Sequence, residues 1–385
     1  MKKNIFYWSP GFSKIATFKA VINSAQSIIK FDKKYDVSLI NFFGEFNEYN
    51  LNIKNKEIEL INYFNDKILK YLPKYGWLKS RLSFLFIFLL SFFPLKNLLS
   101  KKKPEFIIIH LVSSLPLFLL ILFSFKTKFI LRISGYPNLN IFRVFLWKLA
   151  FKKIHAVTCP TKLTKDKLLK LKIIDQDKLF VLYDPVLNIN QINKMKRKEL
   201  NVDNKKFFLA AGRLTKQKNF EFLIQAYDKF IVKSERLLFI AGDGEERQNL
   251  KKLILKKKLE KKVFLIGYKD NIYNYMKNCE AFILSSLWED PGFVLIEAAF
   301  CRANIISSDC KNGPIEFLEN NLCGFGYKNN NLEDFEKQFN FFLNSRDKFL
   351  VQKKINALTK VKKFTSFMHF KRLNKILNKI KLKKN

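Results

Sequence analysis

"AFILSSLWEDPGFVLIEAAFC", Ala281 to Cys301, falls into three pieces. AFILSS is an apolar run of strand length, LWEDPG is a turn marked by Pro291 and Gly292, and FVLIEAAFC has helical composition. A fully apolar strand leading directly into a helix is the unit of a parallel sheet covered on both faces. Upstream and downstream, KFFLAAGR, RLLFIAGDG, KVFLIGY and ANIISSD repeat the pattern, with helix-like NFEFLIQAYDKFIVK and EERQNLKKLILKKK between them. The first half has the same rhythm in NIFYWS, YDVSLINFF, EFIIIHLV, KFILRISG, IHAVTCPT and KLFVLYDP. The expected fold class is α/β, with two doubly wound, Rossmann-like parallel-sheet domains. A break is expected in YDPVLNINQINKMKRKELNVDNKK, where Pro185 ends a strand and a Lys/Asn-rich connection shows no apolar period. This gives domains over residues 1–186 and 187–363 and a basic helix over 364–385. That tail either packs back through Phe364, Phe367 and Phe370, touches a membrane surface, or is solvated.

At 385 residues with 48% hydrophobic composition, the chain has enough apolar surface for two cores. Lys+Arg number 71 against 33 Asp+Glu, a formal charge of +38, which points to a polyanion such as nucleic acid, an acidic membrane or a phosphorylated ligand. A/T-rich codons raise Lys, Asn, Ile and Phe together, and codon usage accounts for about half of the excess. Five scattered cysteines without CxxC pairs argue for a reducing compartment, and three dispersed histidines do not make a metal site. The basic N-terminus is interrupted by Pro10 and Gly11 and reads as a first strand rather than a leader.

Two stretches raise the membrane question. FIIIHLVSSLPLFLLILFSF has spanning length, yet it divides into a strand-like FIIIHLV and a helix-like LPLFLLILF, as a buried α/β unit does. RLSFLFIFLLSFFPLKNLLS, between Lys79/Arg81 and Lys101 to Lys103, reads equally as an internal helix or as a monotopic helix in the interface of an anionic bilayer.

In AAGRLTKQKNFEFLI a strand ends at Gly212 and is followed by Arg213, Lys216 and Lys218 before a helix opens near Asn219. The fork of Arg213 and the point charge of Lys218 suit phosphate oxygens, with a solvated turn as the alternative. AGDGEERQNL places Gly242 and Gly244 around Asp243, with Glu245 and Glu246 expected to cap the next helix or, for the glycines, to lie near a ligand. In the opening stretch, the free amides near Gly292 and Phe293 form an anion site. Glu289 or Asp290 could cap that helix. Capping does not account for Glu297 among Val294, Leu295, Ile296, Ala298 and Ala299, where a charge needs a partner.

Glu289 and Glu297 in EDPGFVLIE resemble the E-x7-E pattern of retaining glycosyltransferases of the GT-B fold. GRLTKQKN is similar to that family's phosphate-binding turn, AGDGEER to its next strand-turn, and SSDCKNGPIEFL to its last. In the first half GFSKIATFKAVINSA occupies the place of the glycine-rich acceptor loop with Gly11 alone. The resemblance implies two domains facing a central cleft and metal-independent sugar transfer from a UDP- or GDP-sugar donor to a glycan or lipid-linked glycan acceptor of the cell surface. It implies no cofactor besides that donor, and a cytoplasmic place, peripheral on the inner face of the membrane. By the same resemblance Arg213 and Lys218 hold the diphosphate, Gly212 and Gly242 admit it closely, and Gly292, Phe293 and Val294 open the anion-binding helix. Glu297 would read the ribose and Glu289 the transferred sugar, and His110 stands where the family has an active-site histidine, with a core histidine as the alternative.

Two other functions compete. A glycoside hydrolase sets its carboxyls about 5 to 9.5 Å apart, against about 12 Å for eight residues of helix, and has no use for phosphate-binding cations. A basic nucleic-acid-binding α/β protein would account for the charge, but no reading module is present and nucleic acid is not the expected partner.

Overall fold

Ile5 and Tyr7 enter one apolar layer and Phe6 and Trp8 another, so the first strand, β1 (Lys3–Trp8), is buried on both faces. The same alternation recurs in β2 (Tyr35–Asn41), β4 (Phe106–Ile109), β5 (Lys128–Arg132) and β6 (Ala156–Cys159). With edge strands β3 (Glu59–Asn62) and β7 (Leu179–Val181) they form one parallel sheet in the order β3-β2-β1-β4-β5-β6-β7. The structure, a computed structural model, describes residues 2–11, 16–49, 57–64, 77–135, 139–200, 205–232 and 234–382. Residues 12–15 of the GFSKIATF stretch and 201–204 of the connection lie outside the described residues.

The chain divides into two units, Met1–Pro185 with Ser366–Asn385, and Val186–Thr365. In the first, α1 (Ala16–Phe31) covers one face of the sheet. Four helices contribute to the apolar layer on the other face: α2 (Trp77–Lys102), α3 (Ser114–Leu122), α4 (Ile141–Lys153) and α5 (Lys162–Lys170). The stretch of spanning length is thus β4 followed by α3, whose Leu115, Leu117 and Leu119 are buried.

Val186–Thr365 opens with α6 (Ile189–Met195), in the stretch read as a polar connection without an apolar period. Asn188 caps it by accepting from the Gln191 amide at 3.3 Å, and Ile192 is its buried residue. Two turns are too short to show an apolar period. Its sheet runs β10-β9-β8-β11-β12-β13, formed by β8 (Phe207–Ala211), β9 (Leu237–Ala241), β10 (Val263–Gly267), β11 (Ala281–Leu284), β12 (Ile305–Ser308) and β13 (Phe325–Tyr327). The intervening helices are α7 (Phe220–Ala226), α8 (Arg247–Lys256), α9 (Ile272–Asn278), α10 (Phe293–Phe300) and α11 (Gly313–Leu318), followed by α12 (Leu332–Leu343) and α13 (Asp347–Val361).

The last helix, α14 (Ser366–Leu382), returns to the first unit and joins the α1 layer through Leu373, Ile376, Leu377 and Ile380. Of the Phe364, Phe367, Phe370 series, Phe367 and Phe370 pack on the Phe31 ring of α1 at 5.3 and 5.5 Å, but Phe367 is 53% exposed and Phe364 belongs to Val186–Thr365, so the buried stripe is the aliphatic one. A polar contact fixes the helix. His369 Nδ1 donates to the Tyr183 carbonyl at 2.7 Å, which makes Nε2 the acceptor for the Ser24 hydroxyl at 2.7 Å.

Candidate active site

β8, β9 and β11 lie side by side in the order β9-β8-β11, and the turns that follow their carboxyl ends carry the candidate residues. Gly242 follows β9 with φ 137°, and a Cβ there would sit 1.8 Å from the Gly212 carbonyl oxygen. Any side chain at Gly242 would therefore push these two turns apart. A Cβ on Gly212 would in turn lie 3.0 Å from the Lys218 side chain, so Lys218 folds back along its own turn.

Lys218 Nζ donates to Glu289 Oε1 in a pair whose side chains are 13% and 8% exposed. Ser286 Oγ donates to the same oxygen at 2.7 Å, which leaves Glu289 Oε2 without a hydrogen bond among the described residues. Three bonds fasten the Lys218 turn to the end of β11: Ser285 Oγ to the Lys218 carbonyl, the Leu287 amide to the Gln217 carbonyl, and Gln217 Nε2 to the Trp288 carbonyl, each 2.8 Å. The Glu289 backbone is held by the last turn, receiving from the Gly313 amide at 3.1 Å and donating to the Lys311 carbonyl at 3.3 Å.

Neither Glu289 nor Asp290 caps α10. The cap position is Gly292, with φ 89° and no side-chain cap, and the first turn contains no acid. The amides of Gly292, Phe293 and Val294 donate to nothing among the described residues, so the positive end of the helix is open to an anion. A Cβ on Gly292 would be 3.5 Å from Glu289 Cβ, which sets this amide run directly beside the Lys218–Glu289 pair. Arg213, next in sequence to Gly212, is exposed, and its guanidinium has no partner among the described residues.

Glu297, the fifth residue of α10, has the partner its apolar surroundings require: Tyr273 Oη on α9 donates to its Oε1 at 3.1 Å. Burial and then the Glu297 charge push the Tyr273 phenol up, so it remains a donor. Glu245 and Glu246 precede α8 instead of lying in its first turn, and Glu246 occupies the cap position without a side-chain cap hydrogen bond. Glu246 accepts from Asn249 Nδ2 at 2.9 Å, and Asp243 closes its own turn by accepting from the Gly244 amide at 2.9 Å.

His110 lies in the other unit, immediately after β4, its amide bonded to the Trp8 carbonyl at 2.8 Å and its ring 5.9 Å from that of Tyr7. Its ring nitrogens take no hydrogen bond among the described residues. Burial, followed by the Arg132 charge, holds the imidazole well below its usual range and therefore neutral.

The sequence reading assigned Lys218 and Glu289 separately to a ligand, whereas the structure pairs them. It missed Ser286, Gln217 and Tyr273. Ser286, at the strand end of a motif already singled out, was findable there; Gln217 acts through its carbonyl and its side-chain amide on backbone groups 70 or more residues away, and Tyr273 meets Glu297 from 24 residues away, neither with a local pattern.

Residues 191–359 match the family model for glycosyl transferases group 1. An uncharacterized glycosyltransferase of Methanocaldococcus jannaschii is 28% identical over 76% of this chain and 73% of its own length. The N-acetylgalactosamine-N,N'-diacetylbacillosaminyl-diphospho-undecaprenol 4-alpha-N-acetylgalactosaminyltransferase of Campylobacter jejuni is 29% identical over 51% of this chain, which spans 55% of that relative. A glycosyltransferase crystal structure from Rickettsia africae shares the fold, with a TM-score of 0.76 and 18% identity over 100% of both chains. The two parallel-sheet α/β units are those of the GT-B class. The family match lies within Val186–Thr365, the unit that carries the candidate site, and marks that unit as a glycosyl transferases group 1 domain.

Proposed function

We propose that the chain transfers a sugar, with retention of anomeric configuration and without a metal ion, from a UDP- or GDP-sugar to a glycan or lipid-linked glycan acceptor. The reading rests on one observation. Gly242, Gly212, Lys218, Glu289 and Gly292, taken from three separate motifs, form an unbroken line of contacts, flanked by an unpaired arginine and unbonded helix amides. Such an array suits a leaving diphosphate: Arg213 and the Gly292–Val294 amides take its oxygens, and Lys218, with two of its three N–H donors left after Glu289, offsets the charge that grows as the sugar departs. Glu289 does two jobs, holding Lys218 through Oε1 and presenting Oε2 to sugar hydroxyls. Glu297, oriented by Tyr273, accepts from the ribose. His110, in the first unit, is neutral, so its own contribution there is a hydrogen bond rather than a charge. The lipid-diphosphate acceptor in the name of the Campylobacter jejuni relative supports an acceptor of that class.

The test is thermal stabilisation of the full chain by a panel of UDP- and GDP-sugars, followed by the anomeric configuration of the product formed with the donor that stabilises it. Stabilisation by one donor that is lost in Glu297→Ala, together with retained configuration, is the expected result. An inverted product would overturn the stereochemical assignment, and no stabilisation by any donor would overturn the donor assignment.

A further inference from the structure

Helix α2 is apolar on two opposite sides, and the fold uses one of them. Ile87, Leu95 and Leu99 lie in the core of the first unit. Leu82, Phe86, Leu89 and Phe93, spaced by four, three and four residues, share the opposite side and are 62%, 41%, 62% and 65% exposed. The segment Leu82–Lys102 is long and apolar enough to cross a bilayer, but a crossing would pull its inner side out of the core.

A second helix of the same layer also has an exposed apolar side. α3 packs against both α2 and α4, with Phe118 ringed by Phe88 and Phe92. On α4, Trp147, Ala150 and Phe151 face inward, while Ile141, Phe142 and Phe145 are 91%, 78% and 60% exposed. Nothing in the sequence reading marked this helix. Two neighbours of one helix thus turn large apolar side chains to solvent.

Along the chain through these helices the charge is nearly all positive. Glu105 is the only acidic residue in the sequence between Asp66 and Asp166. Lys101, Lys102 and Lys103 close α2, and Lys148 and Lys152 follow Phe145 on the outward side of α4; all five are exposed and none forms an ion pair among the described residues. A second copy of the chain on this face would set cations against cations, whereas an anionic bilayer offers acyl chains to the aromatic and leucine side chains and headgroup phosphates to the lysines.

The geometry points to the outward faces of α2 and α4 as a monotopic docking surface for an anionic lipid bilayer. The surface stands independently of the donor site proposed above. Sedimentation of the full chain with vesicles of phosphatidylcholine, alone or with about one quarter phosphatidylglycerol, at about 0.1 M and 0.5 M salt, tests it. Binding to the anionic vesicles is expected to be at least about tenfold tighter than to the neutral ones, and weaker at high salt. The double variant Leu89→Asp/Phe142→Asp, altered at solvent-facing positions, should lose about tenfold or more on anionic vesicles while keeping its circular dichroism spectrum. Lys101→Glu/Lys102→Glu should lose the anionic preference. A wild-type chain that stays in solution with anionic vesicles would overturn the proposal, as would a Leu89→Asp/Phe142→Asp chain that sediments like wild type. A chain that ignores vesicles but forms a dimer split by the same substitutions would assign the face to a second copy instead.

Discussion

Each unit sets a cation–carboxylate pair at the ends of its strands, and the two pairs live in different surroundings. In the first unit Arg132 Nη2, at the end of β5, meets Asp184 Oδ2 at 2.6 Å with 2% and 9% of the side chains exposed. In Val186–Thr365 Lys218 meets Glu289 beside an exposed arginine, a carboxylate oxygen with no hydrogen bond and three unbonded amides. Burial and an ion pair do not by themselves mark a site; ligand-ready groups around the pair do. The Arg132 pair ties the ends of β5 and β7, its guanidinium buried and with Nη1 unbonded among the described residues, whereas the Lys218 pair stands beside an exposed arginine and reads as part of a binding surface.

The fastening yields the largest expected effect. Arg132→Leu or Asp184→Leu leaves one charge buried without its partner and should cost about 3 to 5 kcal/mol of stability. The double replacement should recover most of it, as measured by urea unfolding. Single variants as stable as wild type would remove the structural reading. Next comes Lys218→Ala, expected to lower kcat/KM by about 100- to 1000-fold, or roughly 3 to 4 kcal/mol of transition-state stabilisation. If instead it unfolds as readily as Arg132→Leu while keeping turnover, the two pairs are of one kind and the contrast disappears.

How much of this could be read from the chain follows physical lines. Central strands such as "FIIIHLV" and "AFILSS" are buried on both faces and advertise themselves as apolar runs. Of the edge strands, β7 and β10 show in KLFVLYDP and KVFLIGY, but β3 and β13 do not: β3 is half exposed and β13 is three residues long, so neither has enough apolar sequence to stand out. Gly212, Gly242 and Gly292 were legible because a turn at a strand end restricts the residue type locally. The Lys218–Glu289 contact was not, since it joins residues 71 apart in sequence and depends on which strands become neighbours. Glu297 gave a half-signal: a charge in an apolar helix demanded a partner, and only the packing of α9 on α10 identified Tyr273.

A third way to sharpen the contrast uses pH. Burial, against the pull of the Tyr183 carbonyl and Asp184, lowers His369 from 6.5 to about 4, so the folded chain keeps it neutral where the unfolded chain protonates it. Stability from this group is therefore complete above pH 6.5 and is lost as pH falls toward 4, amounting to about 2 kcal/mol by pH 5. His369→Gln should unfold with less dependence on pH between 7 and 5, and an unchanged pH dependence would show that the Ser24–His369–Tyr183 contact does not hold α14 in its neutral form.

The smallest effect separates orientation from binding at the second site. Tyr273→Phe removes the hydroxyl that fixes Glu297 but leaves the carboxylate and the ring packing. If Glu297 reads the ribose only when so oriented, the variant should raise the donor KM by about fivefold, near 1 kcal/mol, with kcat unchanged, because the lost interaction is the same in ground and transition states. A fall in kcat at constant KM would place Glu297 nearer the reacting bond than the ribose. No change in either would make the Tyr273 contact a packing detail, on the side of the Arg132 pair rather than the Lys218 pair.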